Sequence, residues 1–343
     1  MGVPALLGRD RLARAGPPRL SPLVSRRAVI GGALALSACG RGGSKPVALK
    51  DVTLRVATYK GQIDSFFAQA GEAAPPYTVS KALFAGGNQI VEAINAGAID
   101  FGGMSEIPPI FAAAADPLFR LIAVQQYDVN NQVVLVPAGS TIRDAAGLRG
   151  KRVGYVRATT SHYILLRLLD EAGLTFADVV PIALSPSDGL TAFQQGRLDA
   201  WVIYGVQGSL ARSTGARVLA TGKGRLSGNY VVAASTAALA DPLRVEAIGD
   251  YLGKIARTFA WSVANPAAWA TALAKDTGVP EAIWLQQFRE RSSDPRIVPV
   301  SDAAIASQQQ VADRFATAKV IPAKVDVRPL WSTALNARIG KIY

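Results

Sequence analysis

The chain has 343 residues, enough for roughly one to three domains, and half of them are hydrophobic against 18% charged, so large apolar cores are within reach and a disordered body is excluded. The formal net charge is +12; six arginines and Asp10 give residues 1–38 a net +5 of it, and the remaining +7 is spread with no basic run or basic–aromatic interleaving, which argues against a nucleic-acid partner and favours anionic ligands only weakly. A single cysteine, Cys39, excludes an internal disulfide and a cysteine-cluster metal site, and a single histidine, His162, argues against a zinc site, so neither a metal nor a cofactor is expected.

In chain order, the first signal is "SRRAVIGGALALSACG", where Arg26 and Arg27 precede an apolar run over 28–38. At 1.5 Å rise per residue that run is too short to span a bilayer, and it suits the core of a signal peptide. It ends in Leu36-Ser37-Ala38-Cys39, small residues before the one cysteine, which resembles a bacterial lipoprotein box. The arginine pair also fits a twin-arginine export signal, with general secretion as the open alternative. Residues 1–38 are therefore expected to be a signal peptide, Cys39 the lipidation site, and 39–50, opening with "GRGGSKP", a flexible tether. No later apolar run reaches the roughly 18 residues of a membrane span. The expectation is an exported body, periplasmic or on the cell surface, held to the membrane by lipid.

From Thr53 onward short β-rich runs alternate with helical ones. "TLRVAT" reads as a strand, "QIDSFFAQAG" as a helix stopped by Gly71, "YTVSKALF" as a strand and "NQIVEAINAG" as a helix ended by Gly97. "FRLIAVQQ" and "QVVLVP" are strands, followed by strand "RVGYV", helix "SHYILLRLLDEAG", strand "VVPIAL", helix "SDGLTAFQQG" and strand "DAWVIY". "NYVVAAS" reads as a strand that returns to the first series, and helices are expected over 242–274, 280–291 and 302–318, with Trp261, Trp269 and Trp284 in the core. Such alternation implies parallel-rich α/β sheets. The junctions A-I-N-A-G-A-I-D (93–100) and A-F-Q-Q-G-R-L-D (192–199) share a pattern, which suits any helix–Gly–strand junction or two similar lobes with a cleft between them. The expected division is 51–135 with 230–343 as lobe 1 and 136–229 as lobe 2, with hinge strands near 133–137 and 229–234.

Two strand-to-helix turns carry the chemistry. "FAGGNQ" and "RATTSH" each lead into a helix, whose start offers unpaired N–H groups and about half a positive charge to an anion. Gly86 and Gly87 allow close approach; Thr159, Thr160 and Ser161 add hydroxyls, one of them a helix cap. Plain capping explains both turns equally well. Neither turn is a phosphate loop, because the lysine is missing. His162 has no patterned nucleophile beside it, so it reads as a neutral residue in or behind an anion site, or as a packed histidine, ahead of a catalytic base.

These segments together, "FAGGNQIVEAINAGAIDFGGMSEIPPIFAAAA", "LVPAGSTIRDAAGLRGKRVGY", "TTSHYILLRLLDEAGL" and "LTAFQQGRLDAWVIY", resemble the substrate-binding proteins of bacterial ABC importers for aliphatic sulfonates, nitrate and taurine, the sulfonate branch most. The resemblance implies a two-lobed α/β periplasmic-binding fold (type II-like) and no enzyme activity. It implies a small anionic ligand, a permease partner in the cytoplasmic membrane, and a monomer. By position it puts ligand contacts on Tyr59, Gly87, Asn88, Ser105 and Glu106 in the first lobe, and on Thr159, Thr160, Ser161 and Tyr204 in the second, with His162 beside them. The chain departs from the family at Ser105-Glu106-Ile107-Pro108-Pro109 and at Tyr204-Gly205-Val206, on the side where an organic tail would lie. A receptor for nitrate, taurine, a thiamine-precursor pyrimidine or a flavin is the nearest alternative. A pyrimidine-synthase-like enzyme is more remote, since the only cysteine is spent on the leader.

Overall fold

The computed structural model describes residues 48–342, so Cys39, the leader and most of the expected tether lie outside them. The tether was expected to run to residue 50, but Leu49–Asp51 already form a 3-10 turn in which Ala48 N–H donates to the Asp51 carboxylate at 3.2 Å.

Strands β1 (Thr53–Thr58), β2 (Thr78–Leu83), β3 (Phe101–Ser105) and β4 (Phe119–Gln126) open the first sheet. Strands β5 (Val133–Val136), β6 (Arg152–Tyr155), β7 (Val180–Ala183), β8 (Ala200–Ile203) and β9 (Arg217–Thr221) form the second. The chain then returns through β10 (Asn229–Ser235) and β11 (Arg296–Val298) to the first. Strand order is β11-β4-β10-β3-β1-β2 in one sheet and β7-β6-β8-β5-β9 in the other.

The sheets are mixed, where parallel-rich sheets were expected. β1 is parallel to β2 and β3, and β6 to β7 and β8, as helical crossovers require. The strands that arrive from the opposite lobe, β5 and β10, run antiparallel to their neighbours. They enter each sheet from the edge that faces the other lobe, so their direction is reversed. The passages themselves are residues 127–132 and 222–228, hydrogen-bonded to one another through Tyr127 N–H to Gly228 O (2.9 Å) and Gly222 N–H to Gln132 O (2.8 Å). Strands do lie near 133–137 and 229–234, where hinge strands were expected: they are β5 and β10, whose Val133–Val136 and Val231–Ala234 are buried inside the sheets.

Helices α1 (Gly87–Asn95) and α2 (Pro108–Ala112) belong to the first sheet; α3 (Thr160–Glu171), α4 (Pro186–Gln194) and α5 (Gly205–Ser213) belong to the second. After α6 (Thr236–Leu239) come α7 (Pro242–Ala264), α8 (Pro266–Thr277), α9 (Glu281–Glu290), α10 (Asp302–Thr317) and α11 (Asn336–Ile339). The helix expected over 242–274 divides at Asn265 because Pro266 has no N–H to continue the ladder. "QIDSFFAQAG" yields only one 3-10 turn, Ile63–Phe66. Asp64 there is pulled inward, accepting from Thr58 Oγ1 (2.8 Å) and Tyr251 Oη (2.7 Å). Trp269 is buried edge-on to Phe66, in the core where it was expected.

The repeated Gly-x-(Ile/Leu)-Asp junction has a physical cause. Asp100, just before β3, accepts from the backbone and side chain of Arg55 on β1, and the Arg55 guanidinium reaches back to the Gly97 carbonyl. Asp199, just before β8, does the same for Arg152 on β6, whose guanidinium reaches Gly196 O at 3.0 Å. Each lobe thus clamps the same helix–Gly–Asp junction to its neighbouring strand with one arginine.

Apolar side chains cover both faces of each sheet. One core is shared: Tyr163 and Leu166 of α3 pack with Phe315 of α10, across from their own sheet. Arg314 on α10 also pairs with Asp170 on α3, and Arg212 on α5 with Glu290 on α9 at 3.0 Å. These contacts hold the two lobes against each other.

Candidate ligand site

The parallel strands of each sheet end at the edge that faces the other lobe, and α1, α2, α3, α4 and α5 follow β2, β3, β6, β7 and β8 there; the starts of α1, α3 and α5 are linked through Tyr59, Tyr204 and Thr159. Their positive ends therefore converge on the seam. Among the described residues, no group of three or more His, Cys, Asp or Glu side chains gathers to hold a metal.

The first-lobe residues fall as follows. A Cβ on Gly87 would stand 2.9 Å from both Met104 Cβ and Pro108 Cγ, so only glycine lets α1 start this close to β3 and α2. The same Cβ position lies 3.5 Å from the Tyr59 hydroxyl, which places Tyr59 over the start of α1. Asn88 is exposed and Ser105 half-buried; among the described residues neither side chain is hydrogen-bonded to the protein. Glu106 is 4% exposed and faces the frame of the seam: its carboxylate accepts from Ser227 Oγ (2.5 Å) and Ser307 Oγ (3.2 Å), and its carbonyl from Gln308 Nε2 (2.7 Å). Burial pushes this carboxyl up to about 7, against the pull of hydrogen bonds from Ser227, Ser307 and Asn229.

In the second lobe, Thr159 caps α3, accepting from Ser161 N–H at 3.2 Å and donating to Val156 O at 2.8 Å. Ser161 is fully buried and committed at both ends, donating to Val202 O (2.6 Å) and accepting from Val156 N–H (3.0 Å). Thr160, 8% exposed at the first position of α3, has no hydroxyl partner among the described residues. Of the three hydroxyls expected to meet an anion, the fold therefore leaves one uncommitted. Ala158 sits in the left-handed region (φ +59°), a strained conformation for a residue with a Cβ, and it turns the chain into α3.

His162 is 4% exposed and enclosed by the rings of Tyr155, Phe176 and Phe315, with centroids 4.9, 5.3 and 5.4 Å away. Ala158 N–H points at its Nδ1 from 3.4 Å. Burial, with the Arg157 charge beside it, pushes His162 down to about 4. It is a neutral packed ring, joining α3 to α10.

The seam is also lined by phenols. Tyr204 begins α5 and lies beside Thr159. Tyr59 lies beside Tyr230, and the ring of Tyr127 stands edge-on to that of Tyr230 at 5.2 Å. Burial raises all four phenols, so they stay protonated donors at neutral pH. Tyr127, Tyr230 and Arg157 are absent from the sequence-based set. Tyr127 follows β4 directly and Tyr230 is the second residue of β10, runs whose strand pattern hides what the residues at their ends do. Arg157 is exposed at the start of α3 and is unpaired among the described residues.

Two open cavities flank this seam. One of about 620 Å³ lies between the second lobe and α9, with Arg212 and Glu290 in its wall; the other, about 510 Å³, lies between α3 and α10, with Arg167 and Arg314. Neither is lined by Tyr59, Gly87, Thr160 or Tyr204. The arrangement offers neutral donors and helix starts to an anion, and no nucleophile paired with a base.

Comparison with known proteins agrees with this geometry. The family described as NMT1/THI5 like matches residues 79–268, more than half the chain. A protein of Escherichia coli (strain K12) named for binding aliphatic sulfonates is 34% identical over 285 residues, covering 80% of this chain and 87% of its own. The structure of the alkanesulfonate-binding protein from Xanthomonas axonopodis pv. citri bound to MOPS superposes with a TM-score of 0.75 at 30% identity, over 82% of this chain and 99% of that one. The periplasmic aliphatic sulphonate binding protein from Escherichia coli gives 0.72 at 32%, over 82% and 92%. The chain belongs to the NMT1/THI5-like family and has the two-lobed fold of its periplasmic binding proteins.

Proposed function

We propose that this protein is the extracytoplasmic receptor of an ABC importer and binds a small organic sulfonate between its lobes, handing it to a permease in the cytoplasmic membrane. The observation that carries the reading is the meeting of three helix starts with neutral hydroxyl donors at the seam. A sulfonate is anionic at any ordinary pH, so it needs fixed dipoles and donors and no titrating partner. Support for the ligand class comes from relatives at 30–34% identity that are named for sulfonates, one of them solved with MOPS. The relatives are binding proteins, which supports a receptor over an enzyme.

Within this reading the head group sits at the start of α3, near Thr160 and Tyr204, with Tyr59, Gly87, Asn88 and Ser105 opposite. Glu106, Ser161 and His162 act as frame. The lobes are 51–126 with 229–343, and 133–221, moving about the 127–132 and 222–228 passages; the boundary at 135/136 expected from sequence falls inside β5. Cys39 anchors the monomer to the membrane.

Thermal shift with a panel of alkyl and aryl sulfonates, taurine, nitrate and sulfate tests the ligand. At ~100-fold over its dissociation constant a true ligand stabilises the fold by about 2.7 kcal/mol. Sulfonates should shift the melt strongly. A shift with nitrate and none with any sulfonate overturns the reading.

A further inference from the structure

We propose that Tyr127 and Tyr230 are specificity-determining ligand contacts, giving their unused hydroxyl hydrogens to the oxygens of the bound anion. This rests on the sulfonate reading and extends it to residues that the sequence-based set does not contain.

The argument is donor accounting. Each phenol has one hydrogen to give and lone pairs to receive. Tyr127 receives from Gln62 Nε2 at 3.3 Å, so its own hydrogen is left over. Among the described residues, the Tyr230 hydroxyl lies within hydrogen-bond geometry of no protein acceptor, and the residue pairs with Ser105 of β3 across the sheet, beside the proposed first-lobe ligand positions. Among the described residues, then, neither Tyr127 nor Tyr230 gives its hydrogen to a protein oxygen.

Their placement makes this more than a surface accident. Both stand where the chain passes between lobes: Tyr127 opens the first passage and Tyr230 follows the second. Their rings are locked edge-on to each other at 5.2 Å, and Tyr127 is held by Phe259 at 5.4 Å. Tyr59 and Tyr204, from opposite lobes, are close enough to act electrostatically on this group. Tyr204 in turn lies beside Thr159, the cap of α3. The two free donors are thus rigid and contiguous with the helix start proposed for the head group. Neutral donors suit a weakly basic oxyanion, since they take no proton from it and give none up.

The test measures the affinity of hexanesulfonate by calorimetry for the wild type, Tyr127→Phe and Tyr230→Phe, alongside the ligand-free melting temperature and the near-UV tyrosine difference spectrum. Phenylalanine keeps the ring packing and removes only the hydroxyl. A lost hydrogen bond to a charged group weakens binding about 10- to 100-fold. The expected result is that loss in each variant, with an unchanged ligand-free melt and a reduced tyrosine difference signal. Wild-type affinity in both variants, or losses matched by a lowered ligand-free melt, overturns the inference while leaving the sulfonate reading intact. A wild type that binds neither hexanesulfonate nor any other sulfonate overturns both.

Discussion

Replacing Glu106 by glutamine tests the frame of the seam directly. The Glu106 carboxyl is buried, its partners Ser227, Ser307 and Asn229 are all neutral, and its titration lies near 7 in place of the usual 4.5. Because the folded value is raised, the folded state binds this proton more tightly than the unfolded chain does. The favourable contribution is complete below about 4.5 and is lost as pH climbs through about 7. At 1.36 kcal/mol per unit, that gap is worth about 3 kcal/mol between pH 4 and pH 8. Glu106→Gln carries no charge at any pH and keeps a carbonyl oxygen for one serine. Urea unfolding of both proteins at half-unit steps from pH 4.5 to 8.5 gives the difference in stability as a function of pH. The variant should gain on the wild type as pH rises, by about 3 kcal/mol across the range. A difference that is flat with pH would refute the claim that the carboxylate is buried without a cation.

Other outcomes follow from single residues. Gly189→Ala puts a Cβ 2.6 Å from the indole nitrogen of the fully buried Trp201, and it should cost about 1–3 kcal/mol in chemical denaturation; an unchanged midpoint would mean that Trp201 has room to move. Thr160→Ala removes the one uncommitted hydroxyl at the start of α3 and should weaken sulfonate binding by about 1.5–3 kcal/mol in calorimetry, whereas equal affinity would place the head group elsewhere. Cys39→Ser should move the protein from the membrane fraction to soluble or uncleaved precursor, read by fractionation and intact mass.

The order of elements was legible because Gly caps and apolar periodicity are local signals: α1, α3 and α4 start and stop close to where the pattern puts them. The strand directions were not legible, since β5 and β10 owe theirs to arriving from the other lobe, a tertiary fact. The site residues divide the same way. Gly87 and the Thr159 cap are backbone roles and could be read from the turn itself. Whether Ser161 and Glu106 face a ligand or the fold depended on Val202 and Ser307, which are distant in sequence. Tyr127 and Tyr230 matter through each other and through Gln62, a relation that no spacing rule encodes.

The two buried titrating groups of the seam have opposite signs, and this leads to one more measurement. His162 is pushed down from 6.5 to about 4, so the unfolded chain takes its proton first as pH falls. Its contribution to stability is complete above about 6.5 and is lost towards about 4, again about 3 kcal/mol. Glu106 loses stability upward over nearly the same window in which His162 gains it. The two slopes, each near 1.4 kcal/mol per pH unit, oppose each other between about pH 4.5 and 6.5. Their sum is close to flat, so a flat wild-type profile here would be a cancellation and no sign of inert groups. His162→Phe should unmask the falling slope of Glu106, with the new ring packed among Tyr155, Phe176 and Phe315. Glu106→Gln should unmask the rising slope of His162, and the double variant should be flat again. Stability profiles of the four proteins decide it: if the two single variants run parallel to each other between pH 4.5 and 6.5, at least one of the two groups is not buried as the fold places it.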